Sequence, residues 1–190
     1  MEKHLDLTRQ RLQIFASDNY LGGLFYPERA PVKLSVYSAP DRIPYAEALR
    51  GSYRPAKVGE QFGPLWSTHW FKVEIEIPAG WKGQEVCLLW DSSSEACVYQ
   101  DGVATQGLTG MSNSWAPDAL RKEYRLVKSA QGGEKLTLWV EIACNHLFGL
   151  EGGPATTAQI GLLRQAEIAV FDRSAWDLYW DFKVIADMAQ

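Results

Sequence analysis

Over residues 63–78 the chain reads GPLWSTHWFKVEIEIP. In its second half Phe71, Val73, Ile75 and Ile77 alternate with Lys72, Glu74 and Glu76. Successive side chains of a strand point to opposite faces, so this spacing predicts a strand with one buried and one wet face. Continued backwards, the same phase places His69 with the inward set and Trp66, Thr68 and Trp70 on the wet face. An exposed Leu is ordinary on a protein surface, but two indoles on one wet face need a reason.

Further strands follow from the same period. Val86, Leu88 and Trp90 alternate with Cys87, Leu89 and Asp91. ACVYQDGVATQ sets Asp101-Gly102 between two extended runs, and Asp-Gly supplies the positive φ angles of a type I′ turn, so a hairpin is predicted there. KLTLWVEIA directs Leu136, Leu138, Val140 and Ile142 inward and Thr137, Trp139 and Glu141 outward. QAEIAVFD puts Ala166, Ile168 and Val170 on one face. Short strands, regular turns and no helix between them predict a mainly β fold, an antiparallel sandwich, over residues 24–172.

Helical spacing appears only at the ends. Leu5, Leu12, Phe15 and Ala16 predict a helix over residues 1–17 of an N-terminal segment 1–20, closed by Asn19 and Gly22-Gly23. Ser174 with Asp177 three residues on resembles a capping box and predicts a second helix over 174–190. Trp176, Trp180 and Val184 form one stripe on it, and Leu178, Phe182 and Ile185 another, so its polar strip is narrow. Between the first helix and the long strands lies a proline-rich stretch. One strand is expected at residues 32–37, then an ordered loop over 38–64 held by Tyr45, Tyr53 and Phe62.

Composition narrows the classes. The 190 residues hold 46% apolar and 22% charged side chains, enough for one domain with a core. A net charge of −4 without a basic block argues against a nucleic-acid partner. No run nears the ~18 apolar residues of a membrane span. The charged N-terminus lacks the apolar stretch of a signal peptide, and no membrane partner is expected. Cys87, Cys97 and Cys144 sit singly in apolar runs, as buried free thiols of a reducing compartment do, so a cytoplasmic location is expected.

Candidate chemistry is sparse. His4 and Asp6 have His-x-Asp spacing, but on a helix residues two apart point in different directions and cannot chelate. His69 reads as a core or edge histidine, and His146, after EIACN, has no acid or nucleophile at a recognisable spacing. Asp91, Glu95 and Asp101 flank the hairpin and read as solvated turn residues. There is no G-x-S-x-G, P-loop or dinucleotide fingerprint, and GLEGG at 149–153 has the wrong spacing for a phosphate loop. No catalytic residue, metal ligand or cofactor site is assigned within the chain.

Three segments carry a family resemblance: VGEQFGPLWSTHWFKVEIEIP, the strand–hairpin around the Asp-Gly turn, and VEIACN. Together they resemble the N-terminal region of the cytosolic class II α-mannosidases of glycoside hydrolase family 38, from about residue 42 to 190 with a weaker stretch at 110–122. A looser form of the pattern also marks jelly-roll domains of other glycosidases, so the resemblance implies that the antiparallel β-sandwich is of the jelly-roll or galactose-binding-like kind. The resemblance implies a longer, retaining enzyme that removes terminal α-D-mannosyl residues. Its aspartate nucleophile and its zinc, or another divalent metal, would lie on a later domain. This chain would be its non-catalytic accessory domain, with that domain and possibly further subunits as partners. Trp176, Trp180, Phe182 and Val184 are the candidates for the interdomain helix.

The outward set Trp66, Trp70 and Trp139 then has three possible uses. A terminal helix or the proline-rich loop covers it; another domain or subunit packs on it; or a sugar ring stacks on it, beside Glu74, Glu141 and Asn145. The last use would make the chain a stand-alone carbohydrate-binding module, with weak affinity at most.

Overall fold

The computed structural model describes residues 4–17, 19–111, 119–145 and 161–188. The predicted sandwich is present as two antiparallel sheets. One has the order β1 (Arg29–Pro31), β12 (Gln165–Val170), β6 (Val86–Asp91), β9 (Glu123–Val127). The other has the order β3 (Arg54–Pro55), β2 (Lys33–Ser38), β5 (His69–Glu76), β10 (Lys135–Ile142), β7 (Glu95–Gln100), β8 (Val103–Thr109). A small ribbon pairs β4 (Gln61–Phe62) with β11 (Gly161–Leu162).

The core lies between the two large sheets, and the predicted alternation fills it. From the six-stranded sheet come Leu34, Val36, Phe71, Val73, Ile75, Val98, Leu138, Val140 and Ile142, and from the other Val86, Leu88, Trp90, Ile168 and Val170. Phe71 and Trp90 meet edge-on across the sandwich, with ring centres 5.0 Å apart. Each fully buried side chain of this size contributes roughly 1.5–3 kcal/mol, so this layer carries most of the stability. The Asp101-Gly102 turn joins β7 to β8 with φ of 51° and 83°, as the hairpin required.

The alternation within β6 is invisible in its burial, because all six of its residues are buried. Val86, Leu88 and Trp90 face the main core. Cys87 and Leu89 face the other way, into a smaller cluster with Ala169 and Phe171 that Tyr26 and Trp176 cover. Asp91, expected in a solvated turn, is instead buried at the end of β6 and paired with Lys122 at 2.8 Å. Its Oδ1 also accepts the Ser93 N–H at 2.9 Å. Glu95 likewise leaves the turn: it begins β7 and is half-buried. Only Asp101 is the exposed turn residue expected.

The proline-rich stretch holds more regular structure than one strand. Besides β2 it contains β3, β4 and a one-turn helix α2 (Tyr45–Ala48), none of which the sequence pattern announces, since two-residue strands have no period. β1, β9 and β11 likewise have no counterpart in the sequence pattern. The N-terminal helix α1 (Leu5–Phe15) ends at Ala16, short of Asn19 and the glycines; Gly22–Leu24 form a separate 3-10 turn. The C-terminal helix α3 (Arg173–Met188) begins before Ser174. Its cap is Asp172, whose Oδ1 accepts the Ala175 N–H at 2.9 Å.

The two helices lie together. Phe15 stacks on Phe182 at 5.7 Å, and Phe25 meets Tyr179 edge-on at 5.2 Å. α1 buries no residue fully, and α3 buries only Ala175 and Tyr179. No helix among the described residues is long and apolar enough to cross a membrane.

Candidate functional site: the outer face of the six-stranded sheet

The tryptophans that posed the question have three different environments. Trp70 does point outward from β5, as its phase requires, but its exposure is 0%. It cannot stack on a sugar, because the proline-rich segment lies over it. Ile43 and Ala48 close on the indole, and Tyr37, Tyr45, Tyr53, Tyr99 and Trp139 surround it. Tyr45 holds the cluster together. Its ring stacks on Tyr99 at 5.2 Å and meets Trp139 edge-on at 5.7 Å. Trp139 is therefore half-buried beneath the same cover.

Trp66 departs from the phase. β5 starts at His69, so Trp66 lies in the loop before it, with φ 66° and 60% of its surface exposed. Its N–H donates to the Cys144 carbonyl at 3.1 Å, and Cys144 also has a positive φ, 41°. Two non-glycine residues in the left-handed region, bonded to each other, fix the direction in which this indole projects. Thr68, between the two tryptophans, is buried.

Trp66 rims a pocket of about 340 Å³ that Arg42, Thr68, Glu95, Cys97, Glu141 and Asn145 help to line. The β10–β7 register puts Glu141 opposite Cys97, so both stand on the outer face, just past the aromatic cover. Asn145 is buried and locked to Glu95. The Glu95 N–H donates to Asn145 Oδ1 at 3.1 Å, and Asn145 Nδ2 donates to Glu95 Oε2 at 2.6 Å. Tyr99 donates its hydroxyl to Glu141 Oε2 at 3.3 Å. Burial raises the Glu141 carboxyl above the usual carboxylate range, and the Tyr99 hydrogen bond and the Arg42 charge oppose this only in part. Cys97 is half-buried in the pocket, not fully buried as expected; Cys87 and Cys144 are buried. Glu74, the third polar candidate, stands elsewhere, ion-paired to Lys33 and Lys72, each at 3.2 Å.

The two described histidines, His4 and His69, bring no second centre. His69 is buried, with Nε2 2.9 Å from Ser67 Oγ and Nδ1 2.9 Å from Ser38 Oγ. Burial, helped by the Arg54 charge, pushes its pKa down to about 4. His4 and Asp6 are exposed at the start of α1, where Asp6 faces Arg9 at 3.9 Å. His146 and the GLEGG stretch lie outside the described residues. Among the described residues no three His, Cys, Asp or Glu side chains converge to hold a metal. The zinc that the resemblance assigns to the whole enzyme therefore has no cradle in them.

On α3 the stripes separate. Trp176 turns inward towards Phe171, 6.4 Å between centres, and Phe182 lies on Phe15. Trp180 and Val184 are exposed, together with Leu178, Ile185 and Met188.

Comparison with known proteins places this geometry. Residues 30–169 match the family model described as the jelly-roll domain of α-mannosidase. α-Mannosidase G of Dictyostelium discoideum is 35% identical over all of this chain, which spans 18% of that protein. α-Mannosidase 2C1 of Homo sapiens is 38% identical over 99% of this chain, which spans 19% of it. The chain thus spans about a fifth of the length of the curated relatives it matches. Among solved structures, a β-glucuronidase from an uncultured Clostridium sp. superposes with a TM-score of 0.51 at 13% identity, over 77% of this chain and 29% of that one. That likeness concerns the fold alone.

Proposed function

The chain belongs to the family of α-mannosidase jelly-roll domains, and from that premise we propose that it is the non-catalytic accessory domain of an α-mannosidase. The enzyme would be a metal-dependent member of glycoside hydrolase family 38 acting on terminal α-D-mannosyl residues in the cytoplasm. The buried free thiols Cys87 and Cys144 suit a reducing compartment.

The observation that carries the accessory role is the outer side of α3. Leu178, Trp180, Val184, Ile185 and Met188 are exposed there, on a helix whose other side already rests on Phe25, Phe171 and α1. Several large apolar side chains exposed on one side of a helix are costly in water and mark a contact face. Its occupant is the catalytic part of the same enzyme.

The coding sequence beyond residue 190 tests this directly. It is expected to continue into a domain carrying the His and Asp residues of a metal site; a stop codon there would overturn the accessory reading. In the longer protein, Trp180→Asp with Val184→Asp is expected to lower the melting temperature of the catalytic part and its hydrolysis of an aryl α-mannoside. The 190-residue chain alone, with zinc or cobalt added, is expected to give no turnover.

A further inference from the structure

The outer face of the six-stranded sheet is covered over only part of its length. From Trp70 and Tyr99 to Trp139 it lies under the proline-rich segment. Past Trp70 the same face carries Thr68, Glu141, Cys97 and Glu95, and among the described residues the proline-rich cover does not extend over them. These side chains line the 340 Å³ pocket, with Trp66 and Arg42 at its rim. That volume is at the lower end of ligand-binding cavities, room for one or two small rings.

Three observations favour a ligand over an accident of packing. The largest side chain at the rim, Trp66, is exposed, and its backbone is held left-handed to keep it there. Such outliers gather at binding sites, where the surrounding structure holds them in place. Next, donors and acceptors stand together. Arg42 can only donate, ionised Glu141 can only accept, and the Asn145 amide, fixed to Glu95, stiffens the floor. Finally, the Arg42 guanidinium is already opposed by the Glu141 carboxyl in the same pocket, which disfavours an anion. An apolar ligand would shut Arg42 and Glu141 off from water and give them nothing in exchange. A flat, uncharged molecule rich in hydroxyls satisfies both the ring and the polar floor.

We propose that this pocket is a binding subsite for one hexopyranose unit of a neutral glycan. The apolar face of the sugar rests on Trp66, and vicinal hydroxyls bond to Arg42 and Glu141. Tyr99, donating to Glu141 Oε2, keeps that carboxyl in place. The site lies on the outer face of the sheet and not on the α3 surface assigned to docking, so the two roles can fail independently.

The test titrates the chain with methyl α-mannoside, α-mannobiose, methyl α-glucoside and methyl β-galactoside, read by tryptophan fluorescence and amide NMR shifts. The expected result is saturation by at least one of them, half-complete on the order of millimolar, as one stacked ring and a few hydroxyl contacts allow. Shifts should centre on residues 42, 66 and 141. Trp66→Ala should remove saturation, Glu141→Gln should weaken it several-fold, and Tyr20→Ala, at another exposed ring, should leave it unchanged. Trp66 buries little, so Trp66→Ala should keep the native amide spectrum, which the same NMR data check. No saturation by any of the four sugars, or saturation that survives Trp66→Ala, overturns the proposal.

Discussion

Trp66 and Trp70 share one chemistry and one stretch of chain, but removing them has different consequences. Trp70 is enclosed on every side, so Trp70→Ala leaves a large cavity under Tyr45 and should cost about 3–5 kcal/mol. Trp66→Ala should stay within about 0.5 kcal/mol of the parent, as exposed substitutions do. Urea unfolding of both variants reads the difference. His69 provides a second measurement. Its pKa falls from 6.5 in a model peptide to about 4 in the fold, so below pH 6.5 the unfolded chain takes up a proton that the folded chain refuses. The stability held by the neutral ring is complete above pH 6.5 and lost as pH falls towards 4, by at most about 3 kcal/mol. His69→Gln removes this slope, so the stability gap between parent and variant should shrink as pH drops from 7 to 4.5. Parallel curves would show that the ring is not held neutral. The inward direction of His69 and the outward direction of Trp70 were legible from period two. The cover on Trp70 was not, because alternation reports which side a residue faces and says nothing of what lies over that side.

Elements with a long period were readable, and those set by a few hydrogen bonds were not. β5, β10 and β12 appear where their alternation places them, and the Asp-Gly turn does the same for the hairpin. The start of α3 shows the limit. DRSAWD contains two residues suited to a cap, and the spacing of Ser174 to Asp177 favoured the wrong one. Tertiary bonds decide it. The Phe171 N–H donates to the Glu85 carbonyl at 2.9 Å and the Asp172 N–H to the Phe25 carbonyl at 2.9 Å, so the chain is extended up to Asp172 and turns helical directly after it. Asp172→Ala should therefore cost about 1 kcal/mol, and Ser174→Ala much less. Thermal melts compare the two, and equal losses would return the cap to Ser174. The pocket illustrates the same limit. Trp66, Glu141 and Asn145 were all noticed in the sequence, but Arg42 lies in the proline-rich stretch and Cys97 on another strand, and only folding brings them to one rim.

At the scale of the whole molecule, the sandwich is closed by its own beginning and end. β1, the first strand, pairs with β12, the last, through Arg29↔Ala169, Ala30↔Ile168 and Pro31↔Glu167, and α1 lies on α3 beyond them. Arg29 adds an ion pair with Glu167 at 2.7 Å, half-exposed and worth little in water. Deleting residues 4–17 should leave the core transition intact, because α1 buries nothing fully; circular dichroism of the shortened chain checks this, and loss of the β signal would show that the helix helps to hold the sheets together. The pairing of β1 with β12 also determines how the domain answers to force. The strands are antiparallel, with the entry of β1 beside the exit of β12, so tension on the two ends meets their hydrogen bonds one at a time and not as a row in shear. A tug should therefore peel α1 and then β1 away at low load, while the sheets behind Phe71 and Trp90 stay shut. In a longer chain this closure would serve as a slack coil, paying out some thirty residues before the core bears any strain.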